Sequence, residues 1–249
     1  MKSLSFFIVI LSFLLLSFGA AGATTYNYTV TPDMTGSNFP VSVPGDYPTS
    51  WGASSWKANG EEYTKLYMTP ENIFGNSITI ADLSSVTYWT KKSTLHSEDA
   101  GDWFFQIYTK PYDGSPGSSW YGNRINAEPY FSKNLNAPAG QWNQWQTGAG
   151  DNQLRFFDSS TGYFGSYTDD VWADFKTSFA SHEILYLVIG TGTPWGENFF
   201  GQLDGLSMTA GQDTVNINFE GAAVPVPAAV WLLGSGLLGL LGIRRKIKN

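Results

Sequence analysis

The chain contains no cysteine and only two histidines, His96 and His182. The first absence removes disulfide staples, thiol nucleophiles and cysteine-ligated zinc, and the second leaves little for a histidine-rich metal centre. Basic charge is scarcest where a nucleic-acid interface would need it. All 21 acidic residues lie between Asp33 and Glu220, whereas five of the 14 basic ones (Lys2, Arg244, Arg245, Lys246 and Lys248) sit in the terminal segments. The middle of the chain therefore holds nine basic residues against 21 acidic ones, a balance of −12. Such a surface repels phosphate backbones, which argues against nucleic acid as a partner and leaves metal cations and neutral polymers open.

Catalytic motifs are missing as well. There is no G-x-S-x-G elbow, no P-loop, and no H-E-x-x-H, since His182-Glu183 is followed by Ile-Leu-Tyr. A glycosidase needs only two suitably separated carboxylates, and among 21 acids such a pair arises by chance. Glu61, Glu62 and Glu128 read as solvated surface charges. The sequence assigns no catalytic residue, and the chain reads as a non-enzyme.

What is present begins with the two ends. "MKSLSFFIVILSFLLLSFGAAGA" has one lysine, an apolar stretch from Leu4 to Phe18, and small residues at Ala21 and Ala23. This is the pattern of a secretory signal peptide read by the Sec machinery, so residues 1–23 are expected to be removed and the mature chain to start near Thr24. At the other end, "VPVPAAVWLLGSGLLGLLGIRRKIKN" is uncharged from Ala228 to Ile243 and then basic. As a helix, 228–243 spans roughly 24 Å, slightly short of a ~30 Å hydrocarbon core. The basic cluster after it predicts a cytoplasmic C-terminus and an exported middle. The apolar length and basic end fit a permanent membrane anchor or a temporary one.

Residues 24–221 read as one all-β domain. "WFFQIYT" (103–109) places Trp103, Phe105 and Ile107 on one face and Phe104, Gln106 and Tyr108 on the other, and "TVNINFE" (214–220) alternates Val215, Ile217 and Phe219 with polar residues. "YNYTV", "EYTKLYM", "SVTYWTK", "QLRFFDS", "EILYLVIGT" and "QLDGLSM" add strand candidates, separated by turn clusters such as "PYDGSPGSS" and "TGAGDN". A β-sandwich of about eight or more strands is expected. Two short helices interrupt it: "TPENIFG" with Thr69 as cap and Pro70 in the first turn, and "DDVWADFKTSF", which spaces Val171, Phe175 and Phe179 at i, i+4 and i+8.

The middle domain has nine tryptophans. Trp89, Trp103 and Trp172 are expected to pack in the core. Trp51, Trp56, Trp120 with Tyr121 and Arg124, and Trp195 lie in polar, turn-rich stretches. Exposed rings of this kind stack on the apolar faces of sugars while neighbouring polar groups hydrogen-bond the hydroxyls. A non-catalytic carbohydrate-binding module is the expectation. A structural or adhesive matrix protein without specific sugar binding is the alternative, and a polysaccharide hydrolase a third reading.

The C-terminal segment resembles the PEP-CTERM sorting signal: Pro225-Val226-Pro227, then a Gly-rich apolar span, then Arg244 and Arg245, with Val226 where the pattern often has Glu. The resemblance covers residues 222–249. It implies recognition of the proline motif by an exosortase in the inner membrane of a Gram-negative bacterium, with 228–243 as the transient membrane span and 244–249 as the basic stop. It also implies removal of the tail and delivery to the cell surface or the biofilm matrix. The closing strands, "GQLDGLSM" and "VNINFE", loosely resemble jelly-roll, lectin-like modules. That likeness implies a jelly-roll-like sandwich and no cofactor beyond a structural Ca²⁺, with Asp204 and Glu220 as ligands, while polysaccharide as partner is the expectation from the exposed aromatics; Asp169, Asp170 and Asp174 form a second acidic cluster, of which Asp169 and Asp170 read as caps of the second helix.

Overall fold

A computed structural model describes residues 22–30, 40–58, 64–94, 101–112, 123–129, 137–148, 150, 152–158, 163–164, 171–192 and 199–220. The expected signal peptide and sorting tail lie outside the described residues, as do Trp120, Tyr121, Trp195, Glu61, Glu62, Asp169 and Asp170. Among the described residues no helix is long and apolar enough to cross a membrane.

Thirteen strands and two helices are described: β1 (Thr25–Val30), β2 (Val41–Pro44), β3 (Ser54–Lys57), β4 (Lys65–Met68), α1 (Pro70–Phe74), β5 (Leu83–Lys91), β6 (Phe104–Thr109), β7 (Arg124–Ala127), β8 (Trp142–Gln146), β9 (Phe156–Asp158), β10 (Tyr163–Phe164), α2 (Val171–Phe179), β11 (Ile184–Gly190), β12 (Gln202–Ala210) and β13 (Asp213–Phe219). They form two sheets, so the expected β-sandwich is met at the level of architecture. In the first sheet, β12 is the hub. β5 runs along one side of it and carries β8. On the other side β3 pairs its start, through Gln202 and Leu203, and β13 pairs its second half; β2 and β1 lie outside these. β1 runs parallel to β13, from Thr25 beside Thr214 to Val30 beside Phe219. The second sheet has the order β10-β9-β7-β6-β11-β4 and is antiparallel throughout.

The inner faces follow from strand alternation. Val86 and Tyr88 of β5, Leu203, Leu206 and Met208 of β12, and Val215, Ile217 and Phe219 of β13 meet Phe105 and Ile107 of β6, Ile125 of β7 and Leu187 and Ile189 of β11 in one buried cluster. Their outward neighbours on β13 and β1 are Thr214, Asn216, Asn218, Thr25, Asn27 and Thr29, paired in register. The helices begin and pack as their sequences require. Thr69 Oγ1 accepts the Asn72 N–H, Pro70 occupies the first turn, and α1 receives the Tyr28 hydroxyl on the carbonyls of Asn72 and Ile73. α2 buries Trp172, Phe175 and Phe179; Phe156 of β9 stacks on Phe175, and Trp172 Nε1 donates to the Ser84 carbonyl of β5. This helix thus bridges the two sheets.

Two tryptophans depart from their expected places. Trp56, expected at a binding surface, is 4% exposed. "SSWK" is not a turn but strand β3, and its alternation sends Trp56 into the core against Phe219, with Nε1 donating to the Glu220 carbonyl at 3.0 Å. Trp89, expected in the core, faces outward and is half-buried, because Val86, Tyr88 and Thr90 take the inner parity of β5. Trp103 and Trp172 are core residues as expected.

Candidate functional site

The outer face of the first sheet is polar and nearly uncharged along β1 and β13, and a single side chain, Glu220, organises its rim. Glu220 Oε1 accepts the Ala53 N–H at 2.7 Å and the Asn218 amide at 2.9 Å, and Oε2 accepts the Ser54 hydroxyl. Burial would raise its pKa, but these hydrogen bonds outweigh burial and hold it below the usual carboxylate range. The carboxylate therefore ties the end of β13 to residues 53 and 54. Gly52 makes this approach possible: its φ is +52°, and a Cβ there would overlap Glu220 Oε1.

The clamp places Trp51. Its indole lies on Gly205, where β12 bulges between Asp204 and Ser207, and a Cβ on Gly205 would sit 2.8 Å from the ring. Gly205 also has φ +62°, so both the bulge and the ring demand glycine. Trp51 is half-buried, and its Nε1–H meets no acceptor among the described residues. Beside the ring is an open groove of about 400 Å³, lined by Asn27, Thr29, Ser50, Asn216 and Asn218. Asn216 donates to Asn27 Oδ1 at 3.1 Å and accepts from Ser207 at 2.8 Å, which fixes the amides in a row. Asn218 Oδ1 is buried without a partner among the described residues. The groove thus combines one indole, one unused N–H and a fixed amide row.

Asp204 lies at the same bulge and is fully buried. Its Oδ1 accepts the N–H groups of Gly205 at 2.7 Å and Phe219 at 3.0 Å, while Oδ2 has no partner among the described residues. Burial raises its pKa to about 7; the two N–H groups lower it and the Glu220 charge raises it further. Asp204 and Glu220, expected to share a Ca²⁺, are thus electrostatic neighbours. Among the described residues these two side chains alone do not make a calcium site. Glu220 is fully engaged as a clamp, one unpartnered carboxylate oxygen falls short of the six to eight oxygens that Ca²⁺ takes, and no group of three acidic, His or Cys side chains converges among the described residues.

Arg124 lies elsewhere. On β7 it faces the far side of the second sheet, in register with Tyr108 and on the same face as Asn126 and Gln106. Gln106 Nε2 donates to Asn126 Oδ1 at 2.6 Å, and its Oε1 accepts from Tyr108 and Lys65. Burial first and then Arg124 lower the pKa of Lys65, while burial raises that of Glu128 against the pull of Arg124. Glu128, read as a solvated surface charge, is instead partly buried beside a cation. Tyr67, 42% exposed, packs against Tyr108 and Tyr186 at one edge of this face. Trp51 and Arg124, nominated together from the sequence, therefore belong to different faces of the sandwich.

The other strongly shifted acid, Asp102, is a core residue. Burial raises its pKa to about 6, while Thr90 Oγ1 and the Trp103 N–H donate to it, and Trp145 Nε1 donates in turn to Thr90.

No family model matches the chain, and no curated protein or solved structure matches it significantly.

Proposed function

We propose that this is an exported, non-catalytic polysaccharide-binding protein of the cell surface or extracellular matrix, built on a jelly-roll-like sandwich, and that the Trp51 groove holds the sugar. The observation that carries the reading is the pinned, half-buried indole of Trp51 beside the asparagine row, with an unused Nε1–H. A sugar ring stacks on an indole by its apolar face and exchanges hydroxyl hydrogen bonds with amides around it. Placement outside the inner membrane, by the Sec route followed by an exosortase, rests on residues 1–23 and 222–249 alone.

The test is titration of the full-length chain, kept in mild detergent because of its apolar ends, with neutral oligosaccharides, read by calorimetry. Trp51→Ala is expected to weaken binding at least about tenfold, the scale of a central aromatic anchor. Equal affinity in parent and variant, or no binding at millimolar sugar, overturns the reading and leaves a structural matrix role. For the sorting half, mass spectrometry of the protein from its host is expected to find a C-terminus upstream of the basic tail. An intact Asn249 refutes processing.

A further inference from the structure

The backbone nitrogen of Thr24 donates to Asp213 Oδ1 at 3.0 Å, and the Thr24 carbonyl accepts the Thr214 N–H at 2.8 Å. These two bonds fix the start of β1 on the start of β13. At the far end the Glu220 N–H closes the pair on the Val30 carbonyl at 3.1 Å. Asp213 is itself well placed to act as a post. It pairs with Ala210 across the two-residue turn Gly211-Gln212, in which Gly211 has the positive φ, +58°, that such a hairpin needs.

β1 depends on this fastening. Among the described residues its one strand neighbour is β13, and its side chains alternate between exposed and half-buried, so few apolar contacts hold it. Yet Asn27 and Thr29 of this strand line the Trp51 groove. Whatever tightens the start of β1 steadies one wall of that groove.

Thr24 is also the residue at which the sequence places the start of the mature chain, after the small residues Ala21 and Ala23. Residues 22–25 are exposed, so the bond after Ala23 is open to a peptidase. Hydrolysis adds one water across that bond, leaving a carboxylate on Ala23 and an ammonium on the nitrogen of Thr24, the same atom that donates to Asp213. An α-amino group titrates at about 7.7–8.0, so at pH 7 it is cationic. The second carboxylate of the groove beside it, Asp82, already accepts the N–H and hydroxyl of Thr79 at 2.8 Å through Oδ2.

We propose that removal of residues 1–23 creates an ion pair between the new Thr24 ammonium and the Asp213 carboxylate, and that this pair seats β1 and with it one wall of the Trp51 groove. A hydrogen bond from a neutral amide becomes one with charge on both partners, at a place the fold has already prepared. The inference rests on the export reading of residues 1–23. It makes processing a step that completes the sheet.

The experiment exports the chain from a Gram-negative host and compares the processed protein with an uncleaved precursor carrying Ala23→Phe, whose large side chain blocks a cleavage site that requires a small residue. Both are kept in mild detergent at pH 7, and hydrogen exchange read by mass spectrometry follows the backbone amides of β1, with those of β6 as reference. The processed chain is expected to begin at Thr24. Its β1 amides are expected to exchange about two- to fivefold more slowly than those of the precursor, the scale of one exposed ion pair, with β6 unchanged. Asp213→Asn keeps an Oδ1 acceptor without the charge and is expected to bring that ratio to one. One alanine inserted before Thr24 moves the ammonium away from Asp213 and is expected to do the same in an otherwise unaltered sandwich. Equal β1 exchange in processed and precursor chains, or a ratio that survives either variant, overturns the ion pair and leaves the export reading standing. A processed chain that begins elsewhere does likewise. An uncleaved parent overturns both.

Discussion

Asp204→Asn tests the electrostatics of the bulge directly. In the folded chain Asp204 keeps its proton up to about 7, against an ordinary value of 3.8. Between these values the native state binds more protons than the unfolded state, so stability is full below pH 4 and declines as pH rises through 7. From pH 5 to pH 8 the loss from this residue is about 2–3 kcal/mol. Asparagine retains an Oδ1 for the N–H groups of Gly205 and Phe219 but cannot ionise. Its amide N–H groups, if left unpaired, cost ~1–3 kcal/mol at every pH, so they shift the curve without tilting it. Asp102, raised to about 6 by burial, tilts both proteins alike. Urea unfolding followed by tryptophan fluorescence at pH 5, 6, 7 and 8, with chelator present, gives the two curves. The variant is expected to lose about 2–3 kcal/mol less than the parent over this interval. Parallel curves would refute the assignment of a buried, late-titrating Asp204.

Three further perturbations probe the same region. Gly205→Ala puts a Cβ 2.8 Å from the Trp51 indole at a φ of +62°; a loss of ~1–3 kcal/mol in urea unfolding and a weakening of neutral-sugar binding are expected together, and a variant that loses neither contradicts the packing described. Glu220→Gln replaces a carboxylate that takes three donors with an amide that takes fewer; a loss of about 2 kcal/mol is expected at pH 7. This loss should shrink as pH falls below the ordinary glutamate value of 4.5, because a depressed pKa stabilises only above that range. Treatment with EDTA is expected to leave the melting temperature of the full-length chain unchanged, since Glu220 is engaged by protein donors; a drop restored by Ca²⁺ would show that the site rearranges around the ion.

The elements that alternate cleanly were legible. Residues 103–109 and 214–220 have one apolar parity each, and the Thr69-Pro70 start and the 171/175/179 spacing predict both helices. β3 was not, because Ser54-Ser55 has the composition of a turn, and only pairing with β2 and β12 makes it a strand and Trp56 a core residue. In β5 the neighbours Tyr88 and Trp89 are both large aromatics, so ring size cannot assign the parity; Val86 shares Tyr88's side and was the available clue. Asp204 and Glu220 were singled out in the sequence as Ca²⁺ ligands on the closing strands. Their separate work, as a buried proton holder and a rim clamp, depends on backbone N–H groups from Ala53, Gly205 and Phe219 that no side-chain pattern records. One groove gathers Asp46, Lys57, Lys91 and Gln202 from a loop and three strands, a conjunction that only the fold creates.

The parallel pairing of β1 with β13 also has a mechanical meaning. The described chain enters beside Thr214 and leaves at Glu220, at the opposite end of the same strand. A pull on residue 220 draws β13 lengthwise between β1 and β12, so the rungs on both sides carry load simultaneously as shear instead of opening one at a time. The first side chain to feel that tension is Glu220, and through Ala53 it reaches the segment that seats Trp51. A tether at this end would therefore couple strain on the attachment to the seat of the Trp51 indole.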